Sequence, residues 1–348
     1  MHGILPLIVI TGTLCVWLWK RRRTTKLAAA AGADLLPPER QDTERSCPDP
    51  VADGVTAALS QGEWQAAAKA ISAAGTDWER RSHLVGVAAD RAAEDDTWLR
   101  AWEAERPDDP DAAVVRAAAQ VTLAWEIRGG GWAEHTTSEQ AAGFHRVLAE
   151  AGEAFVRAEA LALPDDPTPY VKRIPLYMGL NAPHEAMLEL WSEVTARVPY
   201  HFEGHLNALQ YWCAKWHGSA ETARDFAGQA AAAAPRGSLL TALRLIAWYE
   251  HHDDEAPSEA YGWPEVMGMT DDALRDVGAA RPDDPRVASV RHLLAYFLTR
   301  QGRYEAALEQ FREVDGYVNA RPWRYYSDPA KIYCHFRTKA LRGAVTPE

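Results

Sequence analysis

The sequence has few cysteines and no cysteine motif. Its 348 residues include only Cys15, Cys47, Cys213 and Cys334, and their spacing forms neither a CxxC pair nor a disulfide framework. Cys15 lies in the apolar N-terminal stretch and Cys47 in a proline-containing segment. We expect Cys213 and Cys334 to lie in helices as small, polarisable core residues.

The sequence also lacks stretches in which apolar and polar residues alternate between turn signals, the pattern of half-buried strands. It is rich in alanine, glutamate, arginine and leucine, which favour helix. Hydrophobic residues make up 47% of the chain and charged residues 25%, as in globular proteins. The sequence therefore predicts an all-α protein, in which 14 tryptophans suit helix packing or binding grooves.

Basic residues are scarce relative to acidic ones. The chain has 37 Lys and Arg against 49 Asp and Glu, a net charge of −12. Four of the basic residues stand together at 20–23, and without them 33 basic residues oppose 49 acidic ones, a charge of −16. Proteins that bind nucleic acid neutralise its phosphates with a basic surface. The composition therefore argues against a nucleic-acid partner.

The N-terminus carries the one long uncharged stretch, GILPLIVITGTLCVWLW at residues 3–19. As a helix it would span roughly 25 Å, the short end of what crosses a bilayer. The basic run KRRR at 20–23 follows it, whereas signal peptides carry their positive charge before the apolar stretch. We predict a single-pass membrane anchor with the N-terminus outside and the body in the cytoplasm. The alternative, a cleaved leader, would place the body outside the cell.

Residues 20–48 combine the basic run with Pro37, Pro38 and Pro48, and we interpret them as a basic stop and a linker. From residue 49 to 342 the chain is predicted to form helices of 10–20 residues, separated by Pro, Gly and Asp. Residues 286–316 are the clearest part. Gly302 divides them into two helices of a hairpin.

Spacings within this body recur. Gly62, Trp64, Ala67 and Ile71 have the same offsets as Gly302, Tyr304, Ala307 and Phe311. Proline-marked loops also return at regular distances: Pro164, Pro199 and Pro235 are 35 and 36 residues apart. A period near 34 residues is that of tetratricopeptide helical hairpins.

The body resembles the tetratricopeptide family on two further sets of residues. Gly218, Ala223, Ala227, Ala230 and Pro235 fit the family pattern of a turn glycine, small residues and a closing proline, with Ala227 in the aromatic position; Met187, Trp191, Val194 and Pro199 fit it with bulkier residues. The resemblance covers about two-thirds of residues 49–342 and is weak over 75–165 and 250–285. It implies stacked antiparallel helical hairpins, an α-solenoid whose concave surface binds a peptide or protein.

A narrower similarity rests on AWEIRGGGW at 124–132, DPTPY at 166–170 and YWCAKWHGS at 211–219. These segments resemble an uncharacterised bacterial, actinobacterial, domain-of-unknown-function family with tetratricopeptide-like helices. That family implies no established activity.

Two residue pairs offer an enzymatic alternative. HFEGH places His201 and His205 four apart on one helix face, the spacing of metal ligands, although it lacks the HExxH order and also fits an exposed helix start. Cys213 and His217 have the spacing at which two side chains meet on a helix, as a nucleophile and its base would. HHDDE at 251–255 could likewise hold a metal, or could end a helix whose dipole favours histidine. No complete catalytic set accompanies any of them.

The glycine triplet at 129–131 has no phosphate-loop frame, and we interpret it as a helix stop followed by an N-cap at Thr137 or Ser138. The excess length of this region indicates a loop insertion. As first candidates for partner contact we name the residues of this loop and of YWCAKWHGS: Trp125, Arg128, Trp132, His135, Trp212 and Trp216.

The sequence thus predicts a membrane-anchored helical-repeat protein that binds a protein or peptide partner, without a cofactor, a metal or catalysis of its own. Two alternatives remain open. One is a helical-domain hydrolase or metal-binding enzyme built on the pairs above, and the other is a structural module without a ligand.

Overall fold

A computed structural model describes residues 26, 31–129, 136–252, 256–281 and 284–345. The predicted anchor at 3–19, its basic flank, Trp132 and His135 lie outside these residues. Within them, no helix has both the length and the apolar character needed to cross a membrane.

The all-α prediction is confirmed: the described residues form fifteen α-helices and no strand. Three short 3-10 helices accompany them at Pro38–Arg40, Ser258–Gly262 and Trp323–Tyr325. The α-helices are α1 Pro50–Leu59, α2 Trp64–Ala74, α3 Trp78–Glu94, α4 Thr97–Glu105, α5 Pro110–Arg128, α6 Ser138–Leu161, α7 Thr168–Gly179, α8 His184–Arg197, α9 Phe202–Trp212, α10 Ala220–Ala233, α11 Ala242–His252, α12 Pro264–Ala279, α13 Arg286–Arg300, α14 Tyr304–Val314 and α15 Pro329–Ala344.

The helices belong to two compact units. The central unit comprises residues 49–253 and contains α1–α11. The terminal unit joins residues 1–48 to residues 254–348 and contains α12–α15. The central unit is therefore one continuous stretch of chain, whereas the terminal unit is assembled from both ends.

Helix ends in the central unit follow local chemistry. Asp109 caps α5 by accepting hydrogen bonds from the backbone N–H of Asp111 and Ala112, and Pro110 occupies the first turn, where no N–H is needed. Thr137 caps α6 in a capping box with Gln140, as the sequence predicts. Gly129 ends α5 with a φ of 76°, which confirms the interpretation of this glycine as a helix stop.

Packing in the central unit follows an alternating order. The odd-numbered helices form one continuous row, because α1, α3, α5, α7, α9 and α11 each contact the next odd-numbered helix. Each even-numbered helix packs against the odd-numbered helix that precedes or follows it in the chain. Within the row, α3 also contacts α7 and α9, so the row bends back on itself.

The core of this unit uses small residues where helices approach closely. Helix α5 has nine buried Ala and Val residues spread around its circumference, which lets α3 and α6 pack on it from different sides. Larger side chains fill the outer part. Trp64 of α2 and Trp102 of α4 stack with ring centroids 5.4 Å apart.

In the terminal unit, the hairpin predicted around Gly302 is confirmed. Helices α13 and α14 pack against each other, and Gly302 joins them with a φ of 74°. The segment preceding residue 49, which we predict to be a linker, is hydrogen-bonded to this unit. Asp315 accepts from the backbone N–H of Leu36 at 2.6 Å and from Gln41 Nε2 at 3.1 Å. Arg337 pairs with Asp315 and donates to the carbonyl of Leu36 at 2.7 Å.

Candidate functional site

A cleft of about 700 Å³ lies along the odd-numbered row of the central unit. Helices α3, α5, α7 and α9 supply its walls. It is lined by Gly86, Ala89, Asp90, Ala118, Val121, Thr122, Trp125, Glu126, Gly129, Lys172, Pro175, Glu203 and Asn207. We call this cleft the groove. Its residues come from positions up to 121 apart in the sequence, so only the bending of the row brings them together.

One side of the groove is a satisfied ion pair. Lys172 of α7 binds the carboxylate of Glu203 at the start of α9, and Ser82 Oγ donates to Glu203 Oε2 at 2.7 Å. Burial raises the pKa of Glu203, but Lys172, His201 and the hydrogen bonds outweigh it and lower that pKa to about 2. Glu203 is therefore ionised at neutral pH, with its charge matched by Lys172.

Gly86 makes room for this pair. A Cβ at Gly86 would lie 3.1 Å from Lys172 Nζ, tighter than ordinary contacts allow. The glycine in the middle of α3 thus lets the lysine cross the face of that helix, although glycine costs about 1 kcal/mol there relative to alanine.

Two further carboxylates face the groove, and neither forms an ion pair with a described residue. Among the described residues, Asp90 of α3 accepts one hydrogen bond, from Thr122 Oγ1 at 3.3 Å. Glu126 of α5 forms no hydrogen bond or ion pair with any described residue. Both side chains are exposed to solvent within the cleft.

The electrostatics of these two carboxylates differ from those of Glu203. Desolvation raises the pKa of Asp90, and the charge of Glu203 adds to the rise. The charges of Lys172 and His83 and the hydrogen bond from Thr122 oppose it. Desolvation also raises the pKa of Glu126, and the charges of Asp90 and Glu94 add to the rise. The charge of Asp90 therefore disfavours ionisation of Glu126.

An aromatic cluster borders the same cleft. Trp125 packs edge-to-face on Trp216 at 5.2 Å and on Phe144 at 5.1 Å. The guanidinium of Arg128 lies 5.5 Å from the ring centroids of both tryptophans, within cation–π range. The structure thus brings together Trp125, Arg128 and Trp216 of the six predicted contact residues. Trp125 Nε1 is buried and has no hydrogen-bond acceptor among the described residues.

The other predicted contact residues are elsewhere. Trp212 packs edge-to-face on His184 at 5.0 Å and on Tyr211 at 4.9 Å, and it does not line the groove. The cluster of His184, Tyr211 and Trp212 supports the end of α9. Trp132 and His135 lie outside the described residues, so their predicted role is untested.

His201 and His205 both bond to backbone groups at the start of α9. His201 Nδ1 accepts from the N–H of Gly204 at 3.2 Å, which caps α9. His205 Nδ1 lies 2.9 Å from the carbonyl of His201, and its ring meets Trp191 edge-on at 4.8 Å. Both side chains are buried, at 0% and 5% exposure. The sequence-based alternative of an exposed helix start is therefore wrong, because this helix start is buried. Within the described parts of the chain, no group of three His, Cys, Asp or Glu could hold a metal ion.

The expectation that Cys213 and His217 share a helix is wrong. Helix α9 ends at Trp212, and Cys213 is its C-cap with extended backbone angles. Cys213 is fully buried, as predicted for a core residue, but lies outside the helix, whereas Cys334 is buried within α15. His217 directs Nε2 to the carbonyl of Met178 at 3.0 Å, and its ring lies tilted against Tyr211 with centroids 4.7 Å apart. His217 therefore holds the turn after α9 in place.

His251 and His252 end α11, as the helix-end interpretation predicts. His251 Nε2 accepts from the N–H of Ala214 at 3.1 Å, and His252 stacks on Trp248 at 5.3 Å. Both rings bond through Nδ1 to carbonyls of the preceding turn.

Sequence reasoning did not identify Asp90, Glu126, Lys172 or Glu203 as site residues. A weak signal exists, because Asp90 lies within the alanine-rich VAADRAA and Glu126 follows the apolar VTLAW. Charged residues inside such faces are rarely placed there by packing alone. The two are also 36 residues apart, close to one repeat length.

Compared with known proteins, the chain matches no family model and resembles no curated protein sequence.

Proposed function

We propose that this protein is a tetratricopeptide-like helical-repeat scaffold that binds a segment of a partner protein in the groove, without catalysis of its own. The observation that carries the proposal is the continuous row of odd-numbered helices that walls the groove. In helical-repeat proteins, stacked pairs expose one row of helices on a binding surface. The buried pattern residues Ala223, Ala227, Ala307 and Phe311 support the same assignment.

The size and lining of the groove also favour a peptide. Its 700 Å³ is in the range of sites that take part of a chain or a small molecule. The lining combines apolar side chains with Thr122, Asn207 and the carboxylates, which offers both packing and hydrogen bonding to an extended segment. The aromatic cluster of Trp125, Arg128 and Trp216 adds a rigid edge with a cation already stacked on it.

Site-specific photo-crosslinking in cells tests this function. A photoreactive phenylalanine replaces Asn207 in the groove or, as the matched control, Leu188, which is 54% exposed on α8. We expect a discrete protein adduct from position 207 and none of that mass from position 188. Equal adducts from both positions, or none from position 207, would contradict binding in the groove.

The proposal includes anchoring by residues 3–19, with the body on the cytoplasmic side. The uncharged stretch and the basic run after it support this placement. Protease added to intact spheroplasts is then expected to leave residues 49–348 uncut, whereas cleavage of the body there would favour the cleaved-leader alternative.

A further inference from the structure

The charges of the groove do not balance. Asp90, Glu126 and Glu203 contribute three carboxylates, and Lys172 is the one ammonium among the lining residues. Lys172 is held by Glu203 within an ion pair that is largely shielded, with the lysine side chain 12% exposed. The lining side chains therefore carry a formal charge of −2, although Lys172 also acts on Asp90.

These two carboxylates are accessible from the cleft but poorly solvated. Both are exposed, and yet desolvation is the largest influence on the pKa of each. Each also lies close enough to other carboxylates for repulsion to count: Glu126 to Asp90 and Glu94, and Asp90 to Glu203. A cation placed between Asp90 and Glu126 would relieve this repulsion.

The surface beside the carboxylates is apolar. Ala89, Ala118, Val121 and Pro175 line the groove there together with the Trp125 ring. Lysine and arginine side chains combine an aliphatic stem with a charged end, so the stem can cover apolar surface while the end reaches a carboxylate. A bare metal ion would use the carboxylates but leave this apolar surface unoccupied.

We propose that the groove recognises a lysine or arginine side chain of the bound segment, whose charge sits between Asp90 and Glu126 and whose stem lies against Val121 and Ala118. This inference rests on the proposed function, since it names the chemistry of the segment that the groove binds. The occupant is thus a basic segment of a partner protein, and an acidic segment is disfavoured because the lysine of the groove is already paired.

Phage-displayed peptide selection on the full-length protein in detergent micelles tests the inference. Wild-type protein is expected to enrich peptides with Lys or Arg at one fixed position. For a selected peptide, replacing that residue by norleucine is expected to weaken binding at least tenfold. In the variant Asp90→Asn/Glu126→Gln, the lysine and norleucine peptides are expected to bind equally, because the discriminating charge is gone.

The matched control is Glu153→Gln/Glu189→Gln, which removes two exposed carboxylates from the even-numbered helices α6 and α8. It is expected to retain the full preference for lysine over norleucine. If it loses the preference as the groove variant does, the attraction comes from the overall charge of −12 and the inference is wrong.

A third variant separates this inference from the proposed function. Asn207→Trp, at a partly exposed lining position, narrows the groove and is expected to abolish binding of every selected peptide, with an unchanged circular dichroism spectrum as the check of folding. Peptides that are sensitive to Asn207→Trp but show no basic preference would overturn the inference and leave the proposed function standing. Absence of any groove-dependent peptide would overturn both. If spermidine binds as tightly as the best peptide and through the same carboxylates, the groove recognises a small amine and not a peptide, and the inference is wrong.

Discussion

At the scale of single residues, His292 acts as a buried hydrogen-bonding group. His292 of α13 is fully buried, accepts from Trp323 Nε1 through Nδ1 at 3.1 Å and lies 3.2 Å from the carbonyl of Ser46 through Nε2. Burial lowers its pKa to about 4, against the opposing hydrogen bond to Ser46. A proton on Nδ1 would clash with the indole N–H of Trp323, which donates to that atom. The folded state therefore holds the neutral imidazole with its proton on Nε2.

This arrangement predicts a loss of stability in mild acid. Below about pH 6.5 the unfolded chain binds a proton at His292 that the folded chain refuses until about pH 4, so the free energy of unfolding falls across that interval. The loss amounts to about 3 kcal/mol at most, at 1.36 kcal/mol per pKa unit. Urea unfolding at several pH values measures it. The variant His292→Phe is expected to have a lower free energy of unfolding at pH 7. That free energy should then fall less between pH 6.5 and pH 4 than in the wild type.

The control for this experiment is His335→Phe, at an exposed position of α15 in the same unit. It is expected to keep the wild-type pH dependence. His205, whose pKa burial also lowers to about 4, adds a decline of its own in the central unit, which therefore remains in both variants. An unchanged slope in His292→Phe would show that this histidine is not the group that titrates.

At the scale of helices, the turns rather than the helices impose the strictest residue choices. Gly302 is required by its backbone conformation, because φ is 74° and no atom lies within 4 Å of an added Cβ. Gly218, between α9 and α10, is required for a different reason. A Cβ there would overlap the carbonyl oxygen of Trp212, which the hydroxyl of Thr222 also approaches as its hydrogen-bond donor.

Replacement of Gly218 and of Gly228 by alanine should have opposite effects on the free energy of unfolding. Gly218→Ala is expected to lower the free energy of unfolding by about 3 kcal/mol or more, because the methyl group collides with backbone. Gly228→Ala, within α10 and with open space around it, is expected to raise it by roughly 0.5–1 kcal/mol. Denaturant unfolding of both variants measures the difference. Similar effects from the two would contradict the close approach at Gly218.

At the scale of the whole molecule, one unit is a continuous stretch of chain and the other joins both ends of it. The central unit repeats one packing rule along a continuous stretch, and the groove follows from that rule. The terminal unit depends on residues 31–48, because Asp315 and Arg337, 9% and 8% exposed, are both hydrogen-bonded to Leu36. Residues 49–342 alone would keep this buried ion pair but without its hydrogen bonds to Leu36.

Two truncations test that dependence. Removal of residues 1–48 is expected to destabilise the terminal unit by roughly 3 kcal/mol or more, because Asp315 and Arg337 lose partners while they remain buried. Removal of residues 1–30 spares these contacts and is expected to leave the melting temperature of the body unchanged. Thermal unfolding compares the two forms. Equal melting temperatures would show that the N-terminal segment contributes nothing to this unit.

The sequence by itself determined the helical class, the hairpin around Gly302, the cap at Thr137 and the stop at Gly129, since each depends on residues within a few positions of one another. Local patterns also favoured a helix through Cys213, but the close turn at Gly218 ends α9 one residue earlier. Only the tertiary structure decided that Asp90 and Glu126 share a groove with Lys172 and Glu203. The bending of the helix row sets those distances, and it results from packing summed over many helices rather than from any motif.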